Sequence, residues 1–421
     1  MRAHKAALFT HMAHSTACRD DNAIALSYLF VAALAFLPGT FGVLVNISNI
    51  DYRRNTTGHI MDAHDGSYNR WTPDGPWYYY AMGYGTCLQG GDKCHGCGYG
   101  YSWIGVWKSD TMANGTWTLV REARDDSWPK AIYFRVHVIY NRNTRLYVMW
   151  ANLNRGKADY AVGASADPEG PFKFVCYANA AVRGGGDFDI FIDDDSAATA
   201  YLIFTGTTTG HTMSVERLDP TYTRSLAVPT LMVWKAQITG NAHGPTRSNV
   251  SSGIIGMAFV EAPAMFKRRG VIYALFGNCC CFCGQGSGIQ IYTAMHPLGP
   301  WTYHNNIGCT KPTSSHCGCG MNHDGCEVNY GSAVTRAQQN FVMPVMSSTG
   351  ATEYIWTGDR WQSGGCPDPS KEGTPECDPD KGIKYMDLQY WSPLKFVKDP
   401  NSGIELPQQL SWQDWVAIDM G

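Results

Sequence analysis

The sequence predicts an all-β fold, a five-bladed β-propeller, over residues 51–421. Helical periodicity is almost absent from this region, 13% of the 421 residues are aromatic and 45 are glycine, and one hairpin pattern recurs five times. Aromatic residues and glycines together suit many short strands joined by tight turns. All-β folds of this length form single units. A large β-sandwich is the alternative.

Each copy of the hairpin pattern has an apolar strand, a polar turn and a second strand rich in aromatic residues. The five copies cover residues 67–85, 137–152, 190–206, 265–277 and 338–348. The matching second-strand aromatic residues are Tyr79, Tyr147, Tyr201, Tyr273 and Phe341. Further strands are predicted between the hairpins at 103–110, 160–167, 213–218 and 289–295. A repeat of about 50 to 70 residues with about four strands is typical of propeller blades.

The cysteine content and the N-terminus indicate the secretory pathway. The chain has 15 cysteines, which an oxidising compartment would convert into loop-stapling disulfides. Residues 23–37 form an apolar run, so residues 1–50 are predicted to be a targeting segment, either a signal peptide or a signal anchor. A buried core helix is the alternative. Glycosylation sequons begin at Asn46, Asn55, Asn114 and Asn249. We expect a secreted or lumenal glycoprotein, or one anchored by a single span.

Nucleic acid and zinc are both disfavoured as ligands. The formal net charge is -3 and no run of Lys or Arg stands out, which argues against a nucleic-acid surface. Two clusters, Cys94-His95-Gly96-Cys97 and His316-Cys317-Gly318-Cys319, have spacings that zinc sites use. Disulfides are the better interpretation in an oxidising compartment, so no metal ligands are assigned.

Polar residues stand at or just before the first strand of every repeat. In a propeller that strand lines the central channel, and its start lies at one mouth of the channel. The residues are His64, Asp65, Arg135, Asp187, Glu261 and Gln338. Asp65, Asp187 and Glu261 lie at nearly the same distance before the matching aromatic residue. Because equivalent positions in rotationally related blades converge on one axis, we expect the three carboxylates to share one pocket.

Such a group of carboxylates suits glycoside hydrolysis, which needs one protonated carboxyl group for the leaving oxygen and one carboxylate on the opposite face. The expected roles are Glu261 as the acid, Asp187 as the group that modulates its pKa and Asp65 as the base. The structural alternatives are turn residues for Asp65 and Asp187 and an arginine ion pair for Glu261.

Sugar recognition also needs flat aromatic faces beside polar groups. His64, Arg135 and Trp361 are the predicted substrate-binding residues, and Tyr101 or Trp103 could add a second aromatic face.

These segments resemble glycoside hydrolase family 43, and within it the exo-β-1,3-galactanase-like branch. The resemblance extends over nearly all of residues 58–421. It is carried by AHDGS (63–67), VIYNRNTRLYVMW (138–150), GGDFDIFIDDD (185–195), EAPAMFKRRGVIYAL (261–275), QNFVMPV (339–345), GDRW (358–361) and YWSPLKF (390–396). It implies a five-bladed propeller and an inverting reaction on a plant- or algal-type polysaccharide, a β-1,3-galactan or arabinogalactan. The family's acid is matched by Glu261, and its pKa modulator by Asp187.

The resemblance leaves two candidates for the base. Many family members carry His-Asp-Pro at the first strand, where this chain has His64-Asp65-Gly66. The galactanase-like branch lacks that Asp and is associated with a Gln on the last blade, matched by Gln338. Asp65 is favoured because a carboxylate is the better proton acceptor. The branch also has a Glu where this chain has Phe134, which removes a substrate contact.

Two other classes of protein remain as alternatives. The lost Pro and the lost Glu are compatible with a non-catalytic carbohydrate-binding propeller, and an N-terminal anchor is compatible with a structural protein of the Golgi or cell surface. No cofactor is expected to be required. Some relatives hold an ion in the channel, and His64 and His137 could contribute to a site for calcium. The expected partner is a polysaccharide or oligosaccharide.

Overall fold

The computed structural model describes most of the chain beyond residue 42. The described residues are 43–85, 102–154, 158–180, 184–207, 211–226, 235–238, 260–278, 284–311, 318–321, 327–331, 333–366, 368–371, 374 and 384–421. Within them the structure has 25 strands and two short 3-10 helical turns, Pro369–Lys371 and Lys384–Met386. The predicted all-β class is confirmed in this part of the chain.

The strands are numbered in chain order. Strands β1 to β9 are Leu44–Ser48, His64–Arg70, Trp77–Gly83, Trp103–Ser109, Thr118–Glu122, Ile132–Asn141, Leu146–Asn154, Tyr160–Ser165 and Lys173–Ala178. Strands β10 to β17 are Gly185–Ile192, Ala200–Gly206, Thr212–Arg217, Lys235–Ile238, Val260–Arg268, Val271–Asn278, Gln290–Ala294 and Thr302–Asn306. Strands β18 to β25 are Gly318–Met321, Glu327–Gly331, Gln338–Met346, Thr352–Arg360, Leu388–Pro393, Phe396–Lys398, Glu405–Pro407 and Trp415–Asp419.

The sheets are antiparallel meanders in which consecutive strands pair. Strands β2–β5 and β6–β9 form two such meanders, joined into one eight-stranded sheet by a single parallel bridge between Gly66 and Val136. Strands β10–β13 and β14–β17 form two four-stranded sheets, and β20–β22 form a three-stranded sheet. The first strands of these units, β2, β6, β10, β14 and β20, each contact the next, and β20 contacts β2. They therefore form a closed ring of inner strands.

Hydrophobic cores lie between neighbouring units of the ring. Between the first two, Tyr80 of β3 packs in one buried cluster with Val136 of β6 and Met149 of β7. Burying apolar surface in such clusters contributes about 25 cal/mol per Å². These cores hold the starts of the inner strands at fixed positions around the axis.

The two ends of the described chain close the fold together. Strand β1 pairs antiparallel with the last strand, β25. Immediately after β1, the Asn49 side chain donates a hydrogen bond to the Trp391 carbonyl oxygen (3.0 Å) and accepts one from the Trp391 N–H (2.8 Å), like a further strand beside β22. Residues 44–48 therefore belong to the folded unit, which corrects the boundary predicted at residue 50. Their alternation of buried Val45 and Ile47 with exposed neighbours is a strand pattern.

The hairpin predictions are confirmed for the first four repeats, and the intervening strands are found where they were expected. The fifth prediction was wrong in register. Phe341 lies on the first strand of its hairpin, opposite Thr357, and the second strand begins only at Thr352. The second-strand aromatic residues are therefore Tyr354 and Trp356, after a turn that the sequence pattern placed too early.

The apolar run 23–37, which indicated secretion, lies outside the described residues. Both Cys/His clusters with zinc-like spacing also lie outside them, apart from Gly318 and Cys319. Cys176, Cys309 and Cys366 are disulfide-bonded. In the part of the chain that is described, no helix is long and apolar enough to cross a membrane.

Candidate active site

A β-bulge interrupts each of the five inner strands near its start. The breaks in register fall between His64 and Ser67, Phe134 and His137, Gly185 and Phe188, Glu261 and Ala264, and Gln339 and Phe341. A bulge bends a strand and redirects its side chains. Glu261 is the last paired residue before its bulge, whereas Asp65 and Asp187 lie inside theirs. The three carboxylates thus lie at different positions relative to the bulge of their own strand. The sequence had predicted equivalent positions, and this is corrected, but the three residues still lie close together.

The backbone at the first bulge is unusual for a residue with a side chain. Asp65 has a φ of 47° and Arg135, in the next bulge, a φ of 48°. Left-handed conformations at such residues cost about 1–3 kcal/mol and persist where the surroundings fix them. The Asp65 N–H donates to Asp359 Oδ2 at 3.0 Å. Gly66 follows because a Cβ there would clash with the Tyr80 carbonyl oxygen.

Arg135 is the centre of the charge cluster. Its Nη2 lies 3.2 Å from Asp187 Oδ2 and 3.5 Å from Asp65 Oδ1, and its Nη1 donates to the Gln339 carbonyl oxygen at 2.8 Å. The residue is only 2% exposed. The Arg135 donors thus face Asp65, the partly exposed Asp187 and the Gln339 carbonyl oxygen, and its role in substrate binding stays a prediction.

Asp65 lies in a site that favours its protonated form. Burial raises the pKa of Asp65 to about 6; the Arg135 cation opposes the increase, and the carboxylates of Asp359 and Asp187 add to it. The Tyr84 hydroxyl donates to Asp65 Oδ2 at 3.1 Å. The pKa of Asp187 is also raised by burial, with Arg135 opposing and Glu261 adding to the increase. Asp65, Asp187 and Glu261 thus share one electrostatic environment.

Glu261 has a polar neighbour at each carboxyl oxygen. Its Oε1 lies 3.1 Å from His211 Nδ1, and its Oε2 lies 3.4 Å from the Gln338 amide nitrogen. The Trp361 indole N–H donates to Gln338 Oε1 at 2.8 Å. Because an indole N–H can only donate, it fixes the orientation of the Gln338 amide, whose NH₂ group then faces Glu261.

Trp361 and His64, both predicted to bind substrate, are each 1% exposed. The Trp361 ring lies under the Lys384 ammonium, 3.9 Å from the ring centroid. His64 Nδ1 lies 3.4 Å from Asp359 Oδ1, and its Nε2 lies 3.2 Å from the Tyr385 carbonyl oxygen. Both side chains contact other protein groups, and their role in substrate binding stays a prediction. Both residues contact neighbours of the carboxylates, His64 through Asp359 and Trp361 through Gln338.

Asp359, His211 and Tyr84 were not predicted from the sequence. Asp359 lies in the GDRW segment, two residues before Trp361. His211 follows the third hairpin, whereas the predicted polar residues lie at or before the start of a hairpin. Of the other aromatic candidates, Trp103 is half-buried and donates to Asp62 Oδ2 at 3.3 Å, and Tyr101 lies outside the described residues.

The histidines considered as ligands of a channel ion have carboxylate neighbours. His137 Nδ1 lies 3.0 Å from Asp189 Oδ1, as His64 Nδ1 faces Asp359. Across the described ranges, no group of three or more His, Cys, Asp or Glu side chains is arranged to hold a metal ion.

The chain is similar to known proteins both in sequence and in structure. The family model described as glycosyl hydrolases family 43 matches residues 61–325. An exo-β-1,3-galactanase from Phanerochaete chrysosporium, solved with β-1,3-galactotriose, superposes with a TM-score of 0.58 at 18% identity, covering 89% of this chain and 69% of that chain. An exo-β-1,3-galactanase from Clostridium thermocellum superposes with a TM-score of 0.60 at 21% identity, covering 89% and 67%. No curated protein sequence matches.

The matches and the site agree on the class of protein. Carboxyl groups gathered at one place supply the acid and the base that hydrolysis of a glycosidic bond requires, and this protein is a glycosidase acting on O-glycosyl compounds. The family model covers more than half of the sequence, and the chain belongs to glycosyl hydrolases family 43, a family of β-propellers.

Proposed function

We propose that the protein is an inverting, exo-acting glycoside hydrolase that cleaves β-1,3-galactan or the galactan backbone of arabinogalactan. The observation that carries the proposal is the gathering of Asp65, Asp187 and Glu261 around the buried Arg135. The galactan specificity is supported by two solved structures of similar fold, both exo-β-1,3-galactanases. We further propose that the five units around the ring of inner strands are five propeller blades.

In the proposed mechanism Glu261 protonates the leaving glycosidic oxygen and Asp65 takes a proton from the attacking water. Asp187 lies in the same cluster and, as expected from the sequence, has the role of the neighbouring carboxylate that modulates the acid. The choice of Asp65 over Gln338 is supported by the Gln338 amide, whose oxygen already accepts from Trp361 and whose nitrogen faces Glu261. Inversion requires about 6.5–9.5 Å between acid and base, enough for one water.

The test is product release from β-1,3-galactan, arabinogalactan, arabinan and xylan by residues 43–421 made in a secretory host. We expect galactose from β-1,3-galactan, with the anomer opposite to the substrate linkage in the first NMR spectra. Release of the same anomer as the substrate would overturn inversion. Glycan binding without release from any polymer would overturn the hydrolase and favour the carbohydrate-binding alternative.

The base assignment predicts the acidic limb of the pH profile. Asp65 accepts a proton only when it is ionised, and its pKa is raised to about 6, so kcat/KM should fall about tenfold per pH unit below pH 6. The measurement is kcat/KM on a β-1,3-galactan oligosaccharide between pH 4 and pH 8. An Asp74→Asn variant, altered at an exposed loop residue, should keep the same profile. A rate that stays constant down to pH 4 would exclude Asp65 as the base.

We also propose that the protein passes through the secretory pathway and carries N-linked glycan. Asn46 and Asn114 are exposed, whereas Asn55 is only partly exposed. Asn46 and Asn114 are therefore the expected sites among the described sequons. Mass spectrometry before and after enzymatic removal of N-glycans from protein made in its secretory host checks this, and an unchanged mass would contradict it.

A further inference from the structure

Backbone hydrogen bonds hold His211 beside Glu261, the residue proposed as the acid. The His211 N–H donates to the Gly206 carbonyl oxygen at 3.1 Å, and its own carbonyl oxygen accepts from the Val260 N–H at 3.0 Å. Val260 directly precedes Glu261. His211 has a φ of 55°, a conformation that residues other than glycine adopt at some cost. The backbone bonds hold this conformation, and the imidazole Nδ1 lies 3.1 Å from Glu261 Oε1.

The two oxygens of Glu261 face different kinds of group. Oε2 faces the Gln338 amide nitrogen, which can only donate, so this oxygen is an acceptor in that contact. Oε1 faces an imidazole nitrogen, which donates or accepts according to its protonation state. A single proton between Oε1 and Nδ1 gives either a neutral carboxyl beside a neutral imidazole or a carboxylate beside an imidazolium. Both states keep one exchangeable proton next to the reacting atoms.

The surroundings of His211 retain that proton and connect it to solvent. Burial lowers the pKa of His211, but the hydrogen bond and the charge of Glu261, together with the charge of Asp187, outweigh it and raise the pKa above the ordinary value. These are the charged groups facing the imidazole in the described part of the chain, with Arg135 behind Asp187. The His211 side chain is 21% exposed and that of Glu261 12%, so the imidazole is the more open end of the pair.

We propose that His211 is a positioning and proton-loading residue that returns a proton to Glu261 after each turnover. This rests on the proposed role of Glu261. The glycosidic C–O bond breaks as its oxygen takes the Glu261 proton, and the attacking water forms the new C–O bond and gives one proton to Asp65. The neutral imidazole of His211 then takes a proton from solvent and passes it to the Glu261 carboxylate, while Asp65 releases its proton to solvent. The net reaction consumes one water.

The first test needs no catalytic activity. The imidazole ¹⁵N shifts of His211 are followed against pH in the unmodified protein and in Glu261→Gln. We expect His211 to titrate above pH 6.5 in the unmodified protein and at lower pH in Glu261→Gln, because the carboxylate that retains its proton has gone. The same midpoint in both proteins would overturn the shared proton, whatever the substrate of the enzyme.

The second test is kinetic and uses His211→Asn and His211→Ala on a β-1,3-galactan oligosaccharide. Asn keeps a donor near the Nδ1 position but carries no titratable proton. We expect kcat to fall about 10- to 100-fold, part of the 10²–10⁴ that acid–base catalysis supplies, with the alkaline limb moved to lower pH. Added imidazole should restore part of the rate of His211→Ala.

The outcomes distinguish a failure of the proposal for His211 from a failure of the role proposed for Glu261. A rate in His211→Asn within twofold of the unmodified rate at every pH, or a loss that is equal at every pH and not restored by imidazole, would reduce His211 to a structural residue. High activity in Glu261→Gln would instead remove the proposed acid. His296→Gln, at an exposed histidine, is the matched control and should leave both profiles unchanged.

Discussion

Replacing Glu261 with Gln is expected to reduce galactose release from β-1,3-galactan by a factor of about 10²–10⁴, the usual contribution of a general acid. The amide has the shape of the carboxyl group but no acidic proton for the leaving oxygen. With its oxygen toward the Gln338 NH₂ group and its nitrogen toward His211, it can keep both contacts made by Glu261. The protein should therefore remain folded. The measurement is kcat, together with oligosaccharide binding by calorimetry.

The control for that loss is Glu353→Gln, which makes the same chemical change on the exposed side of β21. It should keep the unmodified rate, and both variants should unfold at the same temperature. A Glu261→Gln protein with more than half of the original activity would contradict the assignment of the acid. A loss of binding as well as rate would show that the variant had disturbed the site rather than removed a proton donor.

Replacing Arg135 with Met is expected to give the largest loss of stability, about 3–5 kcal/mol at pH 7, since breaking a buried ion pair leaves an uncompensated charge. The change removes the cation between Asp65 and Asp187 and the donor to the Gln339 carbonyl oxygen. Denaturant unfolding monitored by tryptophan fluorescence measures it. Arg121→Met, on the exposed side of β5, should change the free energy of unfolding by less than about 0.5 kcal/mol.

The pH dependence of the Arg135→Met defect identifies its cause. Burial raises the pKa of Asp65 and of Asp187 in the folded state. When the pKa of a carboxyl group is higher in the folded state than in the unfolded state, protonation favours folding. The contribution to the free energy of unfolding is complete below the unfolded pKa and is lost as the pH rises through the folded pKa. Without Arg135 that loss should be larger, so the difference between variant and unmodified protein should shrink from pH 7 toward pH 4. A difference that is constant with pH would indicate a packing defect.

A double variant separates the charge from the packing. Adding Asp187→Asn to Arg135→Met removes one of the two carboxylates that the arginine compensates, and part of the lost stability should return. Asp187 is the appropriate partner because its Oδ2 makes the closer contact, 3.2 Å against 3.5 Å for Asp65 Oδ1. If the two losses simply add, the arginine and the carboxylate act independently, contrary to the expectation.

The hairpins were predictable because their signal is local. Alternating apolar residues, a polar turn and aromatic residues lie within about 20 residues of one another and specify strand pairing by period and turn chemistry. The fifth hairpin failed because its second strand, Thr352–Arg360, follows a turn that the pattern placed too early. The start of the fold was also misplaced, since Leu44–Ser48 becomes a strand only by pairing with β25 at the other end of the chain.

The candidate site was predictable in part. The residue types Asp65, Asp187 and Glu261, at the starts of repeated strands, indicated a shared pocket, and the structure brings them to one cluster. The burial of Arg135, His64 and Trp361 was not predicted, because burial is a property of the whole ring. No local signal shows that a polar side chain will be covered on every side by residues from other units.

The sequence alone determined the first four hairpins, the strands between them and the family resemblance, because each depends on residues close together in the chain or on a linear order of motifs. Only the tertiary structure decided which groups tune the carboxylates. Asp359 binds the Asp65 N–H from 294 residues away, and Gln338 and His211 reach Glu261 from different units of the ring. Electrostatic environment depends on distance in space, which a sequence does not record, and so the partners of Glu261 and Asp65 appeared only with the fold.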